Sequence, residues 1–219
     1  MDERASRDYR VPAMSRTCSG IVRMLAVVTV LFAGWTTGAW AQRPTRSGFW
    51  IENGVGTGAA RNACSGCEET TVAYGSASHV RLGGALSHNV LLGLEVFAFD
   101  GRNVLLTSDG SPVEAENASI AAIALWYPGG SAVFLKGGAG LARGTFSVTS
   151  SEGDVVTTHG TGSGLTFGLG LDVPVFRWFA LTANFGTYVA AIGDIELDGA
   201  VVDDVIATIY EAGLSLTIR

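Results

Sequence analysis

Two groups of residues in this chain, and a scatter of histidines, have types and spacing that bear on chemistry. The first group is Glu52, Arg81, Glu95, Lys136 and Glu211, charged side chains set inside otherwise apolar segments. In each segment the apolar side chains recur at every second position, and the charge falls on the opposite parity, shared with glycines such as Gly83, Gly93, Gly138, Gly168, Gly186 and Gly213. Three carboxylates and two cations at one level of a dry interior must pair, because a buried charge without its partner costs roughly 3–5 kcal/mol. The expected chemistry is therefore an ion-pair network with Glu52, Arg81 and Glu95 on neighbouring strands and Glu211 closing the ring from the last strand. Such a network plugs the space it occupies; a gate or a proton path is the alternative use of charges at such a depth.

The second group is Cys64 and Cys67. A single Cys-x-x-Cys with no second pair and no histidine close by lacks four zinc ligands, so a small loop disulfide is expected, with a redox or metal role as the alternative. The histidines are dispersed. His88 falls in a short turn, His79 in the middle of a strand facing inward, and His159 near Ser150, Ser151, Asp154 and Ser163. A nucleophile, its base and an orienting acid have to lie in mutual reach, and nothing in this spacing puts them there. No catalytic residue, metal site or cofactor is expected.

The elements that must position these residues are strands. Period-2 alternation recurs in eight segments, 48–57, 71–86, 90–99, 117–127, 132–146, 162–173, 178–190 and 205–218, and no amphipathic helix of period 3.6 intervenes. Their connections alternate between long and polar (58–70, 100–116, 147–161, 191–204) and short (87–89, 128–131, 174–177). Short turns at one end of a meander and long ones at the other are the pattern of a barrel that crosses an outer membrane. In lipid every backbone donor and acceptor must be paired internally, so such a sheet has to close, and eight strands leave a lumen just filled by side chains. The outward face carries Val80, Leu82, Leu92, Leu94, Val96, Phe185, Leu214 and Leu216, and Trp50, Trp126, Tyr127, Trp178 and Phe179 near strand ends are expected to form an aromatic girdle.

Export is written at the N-terminus. An apolar run at 24–34 follows Arg16 and Arg23 and precedes Ala39-Trp40-Ala41, which predicts a signal peptide cleaved between Ala41 and Gln42. The expected division is 1–41, an N-terminal extension with the signal, and 42–219, the barrel. The exported part carries 9 Lys and Arg against 17 Asp and Glu, with no basic stripe, which sets nucleic-acid binding aside.

GFWIENGVGTG, SHVRLGGALSHNVLLGLEV, FLKGGAGLA and GLTFGLGLDVPV resemble the small eight-stranded outer-membrane β-barrel proteins of the OmpA/OmpX-like superfamily, over essentially 48–219. The resemblance implies a closed, all-β, up-and-down transmembrane barrel of eight antiparallel strands in a Gram-negative outer membrane. It also implies the lipid bilayer, lipopolysaccharide and the outer-membrane assembly machinery as partners. The family's C-terminal assembly signal, polar-x-Gly-x-x-aromatic-x-aromatic, is matched in spacing by Glu211, Gly213, Leu216 and Ile218, with aliphatics in place of both aromatics and Arg219 beyond. The expected function is a structural or surface-interaction role, not an enzyme. Two alternatives stay open: a secreted lipocalin-like carrier with its apolar face turned inward around a small ligand, and a lipid A-modifying barrel enzyme centred on His159.

Overall fold

The computed structural model describes residues 47–63, 72–106, 112–149, 155–197 and 200–219. The expected cleavage point at Ala41 and Gln42, and the cysteines Cys64 and Cys67, lie outside these residues. The chain forms eight strands: β1 (Phe49–Ala63), β2 (Ala73–Ser87), β3 (Val90–Leu106), β4 (Pro112–Trp126), β5 (Val133–Thr149), β6 (Val155–Phe176), β7 (Phe179–Leu197) and β8 (Ala200–Ile218). Each pairs antiparallel with its successor, and β8 pairs back onto β1, so the sheet is a closed up-and-down barrel. The seam runs from Ile51 opposite Ile218 to Ala63 opposite Ile206.

At one end the chain turns tightly. Residues 88–89 join β2 to β3, a short 3-10 turn at Pro128–Gly130 lies between β4 and β5, and residues 177–178 join β6 to β7. Gly129 and Gly130 both take left-handed backbone there (φ 60° and 70°), which only glycine adopts without strain. At the other end the strands run farther than the sequence pattern implies. Much of the segments 100–116, 147–161 and 191–204, expected as loops, is strand, and β6 reaches 22 residues. A tilted strand needs only about 9–11 residues to cross the hydrocarbon of a bilayer. Beyond that height the outward residues turn polar, as Thr157, His159 and Thr161 do on β6, and the apolar signal fades although the backbone ladder continues.

The apolar alternation faces outward. Leu92, Leu94 and Val96 on β3, Leu165, Phe167 and Leu169 on β6, and Leu214, Leu216 and Ile218 on β8 are all exposed. The lipocalin-like alternative needs these side chains inside, around a ligand, and they are not. Two expectations for the aromatic girdle fail. Trp50 and Tyr127 are buried in the lumen, because neighbouring strand residues point to opposite faces and it is Ile51 and Trp126 that point out. The exposed aromatic cluster at the tight-turn end is built from Phe176 and Trp178, with half-buried Phe179 beside them; the Trp178 and Phe179 rings lie 5.9 Å apart.

The closing register is open to a direct check. In a chain whose native cysteines are replaced by serine, Val55→Cys with Leu214→Cys, direct partners across the seam, is expected to form a disulfide on mild oxidation. Val55→Cys with Ser119→Cys, on a remote strand, is expected to stay reduced. Gel mobility with and without reductant reads both, and an uncrosslinked seam pair would reject the closure.

Candidate functional site

The side chains with chemical capacity converge in the lumen. Inward positions of β1, β2, β3, β5 and β8 carry Glu52, Arg81, Glu95, Lys136 and Glu211, each 5 % exposed or less. Register alone sets two contacts, since Arg81 lies directly opposite Glu52 on β1 and opposite Glu95 on β3. Its Nη1 donates to Glu52 Oε1 at 2.6 Å, and its Nε donates to Glu95 Oε2. Lys136 comes from two strands away. Its Nζ reaches past β4, whose residue opposite Glu95 is the small Ala121, and donates to both Glu95 oxygens at 3.0 and 2.8 Å. Glu211 stands farther off, with Oε1 3.9 Å from Arg81 Nη2.

Four further residues belong to the same tier, and the sequence pattern did not assign them to it. His79 has Nε2 3.2 Å from Glu52 and Nδ1 3.8 Å from Glu211, so it sits between two carboxylates and, when protonated, adds a third cation opposite three acids. Ser215 donates to Glu52 Oε1 at 2.7 Å, and Asn184 donates to Ser215 at 2.6 Å while accepting from Arg81 at 2.9 Å. Tyr188 accepts from Lys136 at 2.8 Å and stacks on Phe97 with ring centroids 3.5 Å apart. All four share the inward parity of Gly186 and Gly213 or of Arg81, which is the signal that extends the set.

The glycines match these side chains in space. A Cβ on Gly54 would overlap the His79 imidazole and come within 2.8 Å of Ser215 Cβ; one on Gly186 would lie 3.1 Å from Glu211 Oε1. The wall is thus scalloped where the long polar groups lie.

Toward the tight-turn end Trp50, Leu91, Ile123, Leu125 and Phe134 pack together as an apolar tier. Beyond it a second polar cluster forms around Asp172. Thr182 donates to Oδ1 at 2.8 Å, Tyr127 donates to Oδ2 at 2.9 Å, and Arg219 turns inward to donate to Oδ2. Toward the other end the lumen is filled by Phe99, Phe146, Ile192 and Val205 among alanines.

No hydrolytic centre is assembled among the described residues. His159 is exposed opposite Thr145, whereas Ser150, Ser151 and Asp154 lie outside the described residues. No group of three or more His, Cys, Asp or Glu with the geometry to hold a metal ion occurs among the described residues.

Removing one member of the charge tier should be costly. Glu95→Ala, which takes from Lys136 its carboxylate and leaves Arg81 with Glu52, is expected to lower stability by about 3–5 kcal/mol in urea titrations of the reconstituted protein. Adding Lys136→Met should recover part of the loss, since it removes one uncompensated cation. A loss below about 1 kcal/mol would show that these pairs contribute little.

No family model and no curated protein matches the sequence. Solved structures do match. Neisserial surface protein A (NspA) is 17 % identical, with 79 % of this chain aligned to 97 % of that one at a TM-score of 0.51. Ail, the attachment invasion locus protein of Yersinia pestis, solved with the heparin analogue sucrose octasulfate, is 16 % identical over 78 % of this chain and 99 % of its own, also at 0.51. At such identity the likeness concerns the fold, and with eight antiparallel strands in a closed ring this chain has the fold of the small outer-membrane β-barrels.

Proposed function

We propose that this chain is an exported outer-membrane barrel, processed after Ala41, whose lumen is plugged and whose role is structural or one of surface interaction. The observation that carries the reading is the outer face. Valine, leucine and phenylalanine ring the outside, while a tier of charged and hydrogen-bonding groups lies buried inside between apolar tiers. Soluble monomers rarely expose apolar patches beyond a few hundred Å². Among the described residues no helix is long and apolar enough to cross a membrane; the apolar belt is carried by the strands. The bilayer and its lipopolysaccharide are the partners of the belt, and the assembly machinery is the partner of β8, through Glu211, Gly213, Leu216 and Ile218.

The plug follows from the tiers. A path along the axis meets the Asp172 cluster, then the apolar tier, then the charge tier, in a lumen that eight strands leave just wide enough for side chains. A diffusion pore is therefore not part of the reading, and catalysis has no assembled site to support it. What the protein engages outside the cell is set by its acidic outer end, where Asp100, Glu114, Glu116, Asp194 and Asp204 lie on the upper parts of the strands. That surface repels a polyanion such as the sulfated ligand bound by Ail and favours cationic partners.

The test is refolding. Residues 42–219 are expected to need detergent or lipid to fold and to show heat-modifiable gel migration. Leu169→Arg, in the middle of the outward apolar run of β6, should then cost roughly 2–4 kcal/mol in vesicles, against about 0–1 for Thr161→Arg near the polar end. A monodisperse β-protein free of detergent would overturn the membrane reading.

A further inference from the structure

The lumen is packed unevenly just outward of the charge tier. There β3 contributes the large rings of Phe97 and Phe99, whereas β4 to β7 present Ala121, Gly140, Ala142, Gly164 and Ala190. These small residues line a cavity of about 20 Å³ between Tyr188 of the charge tier and the outer apolar tier, to which Ala142 and Ala190 belong. A water needs about 10–15 Å³, so the cavity has room for one and little more. Nor is the space a by-product of close backbone packing. A Cβ on Gly140 would strike Ile120 O at 1.9 Å, but one on Gly164 would meet nothing nearer than Ala142 Cβ at 3.3 Å.

What the cavity offers is polar. Thr166 is 1 % exposed and lies directly opposite Tyr188, yet its Oγ1 has no hydrogen-bond partner within the protein. Burying a hydroxyl unpaired is costly, and native interiors supply such a group with a protein partner or an ordered water. Ser119 on β4 lines the same cavity. At the next inward position outward along β4, Asn117 has both amide atoms buried without a partner, as has Asn62 near the outer end of β1. On the other side of the charge tier, among the described residues, the unpartnered buried side-chain atoms are Trp50 Nε1 and Arg219 Nε.

We propose that the cavity is an internal water site held by Thr166, Ser119 and the Tyr188 hydroxyl, reached from the outer end past Asn117, so that the plug is wetted from one side. The ligand has to be small, neutral and able both to donate and to accept. Lys136, with Nζ 2.8 Å from Tyr188 Oη, repels a cation, and the excess of Glu52, Glu95 and Glu211 over the permanent cations Arg81 and Lys136 repels an anion. Tyr188 Oη accepts from Lys136 and keeps a second lone pair for a water. Lys136, through Tyr188, is then the member of the tier that solvent reaches. The inference deepens the plugged-lumen reading above and rests on it.

The experiment is water–methyl NOE spectroscopy on the protein refolded in detergent micelles with isotope-labelled alanine and leucine methyl groups. Cross-peaks from water to the Ala142 and Ala190 methyls are expected, and none to those of Leu91 and Leu125 in the apolar tier on the other side. Thr166→Val keeps the shape and deletes the hydroxyl. It should abolish the cross-peaks and lower the urea midpoint, whereas deleting a hydroxyl that has no partner would raise it. Gly164→Ala, whose methyl takes up the cavity, should abolish the cross-peaks too, and Asn117→Leu should weaken them by closing the outer approach. Should Gly164→Ala fail to fold, the near-isosteric Thr166→Val carries the test. Absent cross-peaks at Ala142 and Ala190, cross-peaks that survive Thr166→Val or ignore Asn117→Leu, or a midpoint unchanged or raised in Thr166→Val would each overturn the proposal. Four dry methyls reject the water site alone, whereas water at Leu91 and Leu125 as well rejects the plug itself.

Discussion

Every other feature depends on the closure of β8 onto β1. Backbone amides and carbonyls carry obligatory hydrogen bonds, and a sheet wearing valine, leucine and phenylalanine on its outside has no water there to satisfy an open edge. The seam between Ile51 and Ala63 on one side and Ile218 and Ile206 on the other removes that edge. It also fixes the interior, because a closed ring of eight strands encloses a volume that side chains must fill and that water does not freely enter.

The polar groups of the lumen answer to that enclosure and in turn hold it shut. Glu52 on β1 accepts from Ser215 on β8 and from Arg81 on β2, and Asn184 on β7 joins the same oxygen. One carboxylate thus ties together four strands around the seam. The tier is charged where its neighbours are apolar, so its members have each other to compensate them, and the loss of one exposes the rest to the full cost of burial. Glycines on the wall are the complement: Gly54 gives the His79 ring its place, and Gly186 gives Glu211 room. Charge and glycine have to be understood as one packing solution.

On the outside the barrel divides into a belt and a collar. The belt is hydrocarbon from Phe49 and Trp126 upward, and the collar is a continuation of the same strands with polar residues facing out. Where the two meet on β2 to β5, small residues and unlike charges replace bulky side chains. The strands do not change there; only the solvent they are adapted to does. This is why the collar, rather than separate loops, carries much of the acidity at that end.

Period-2 alternation is a property of a single strand, and so the sequence by itself determined the all-β class, the eight-strand count, the order and the two faces of each strand. Parity alone put Glu52, Arg81, Glu95, Lys136 and Glu211 on the glycine face, and His79 inside. Partnership was beyond its reach, because it depends on register and on distances across a lumen. That Lys136 passes over Ala121 to Glu95, that His79 lies between Glu52 and Glu211, and that Arg219 turns back to Asp172 are facts of three-dimensional closure. Trp50 was misplaced for a different reason: aromatic character at a strand end suggested a girdle, although the parity that turns Glu52 inward turns Trp50 inward with it. The outer ends of the strands were hidden because alternation is visible only while one face meets hydrocarbon. Above the belt both faces lose that contrast, and the backbone ladder, which has no side-chain signature, decides how far the strands run.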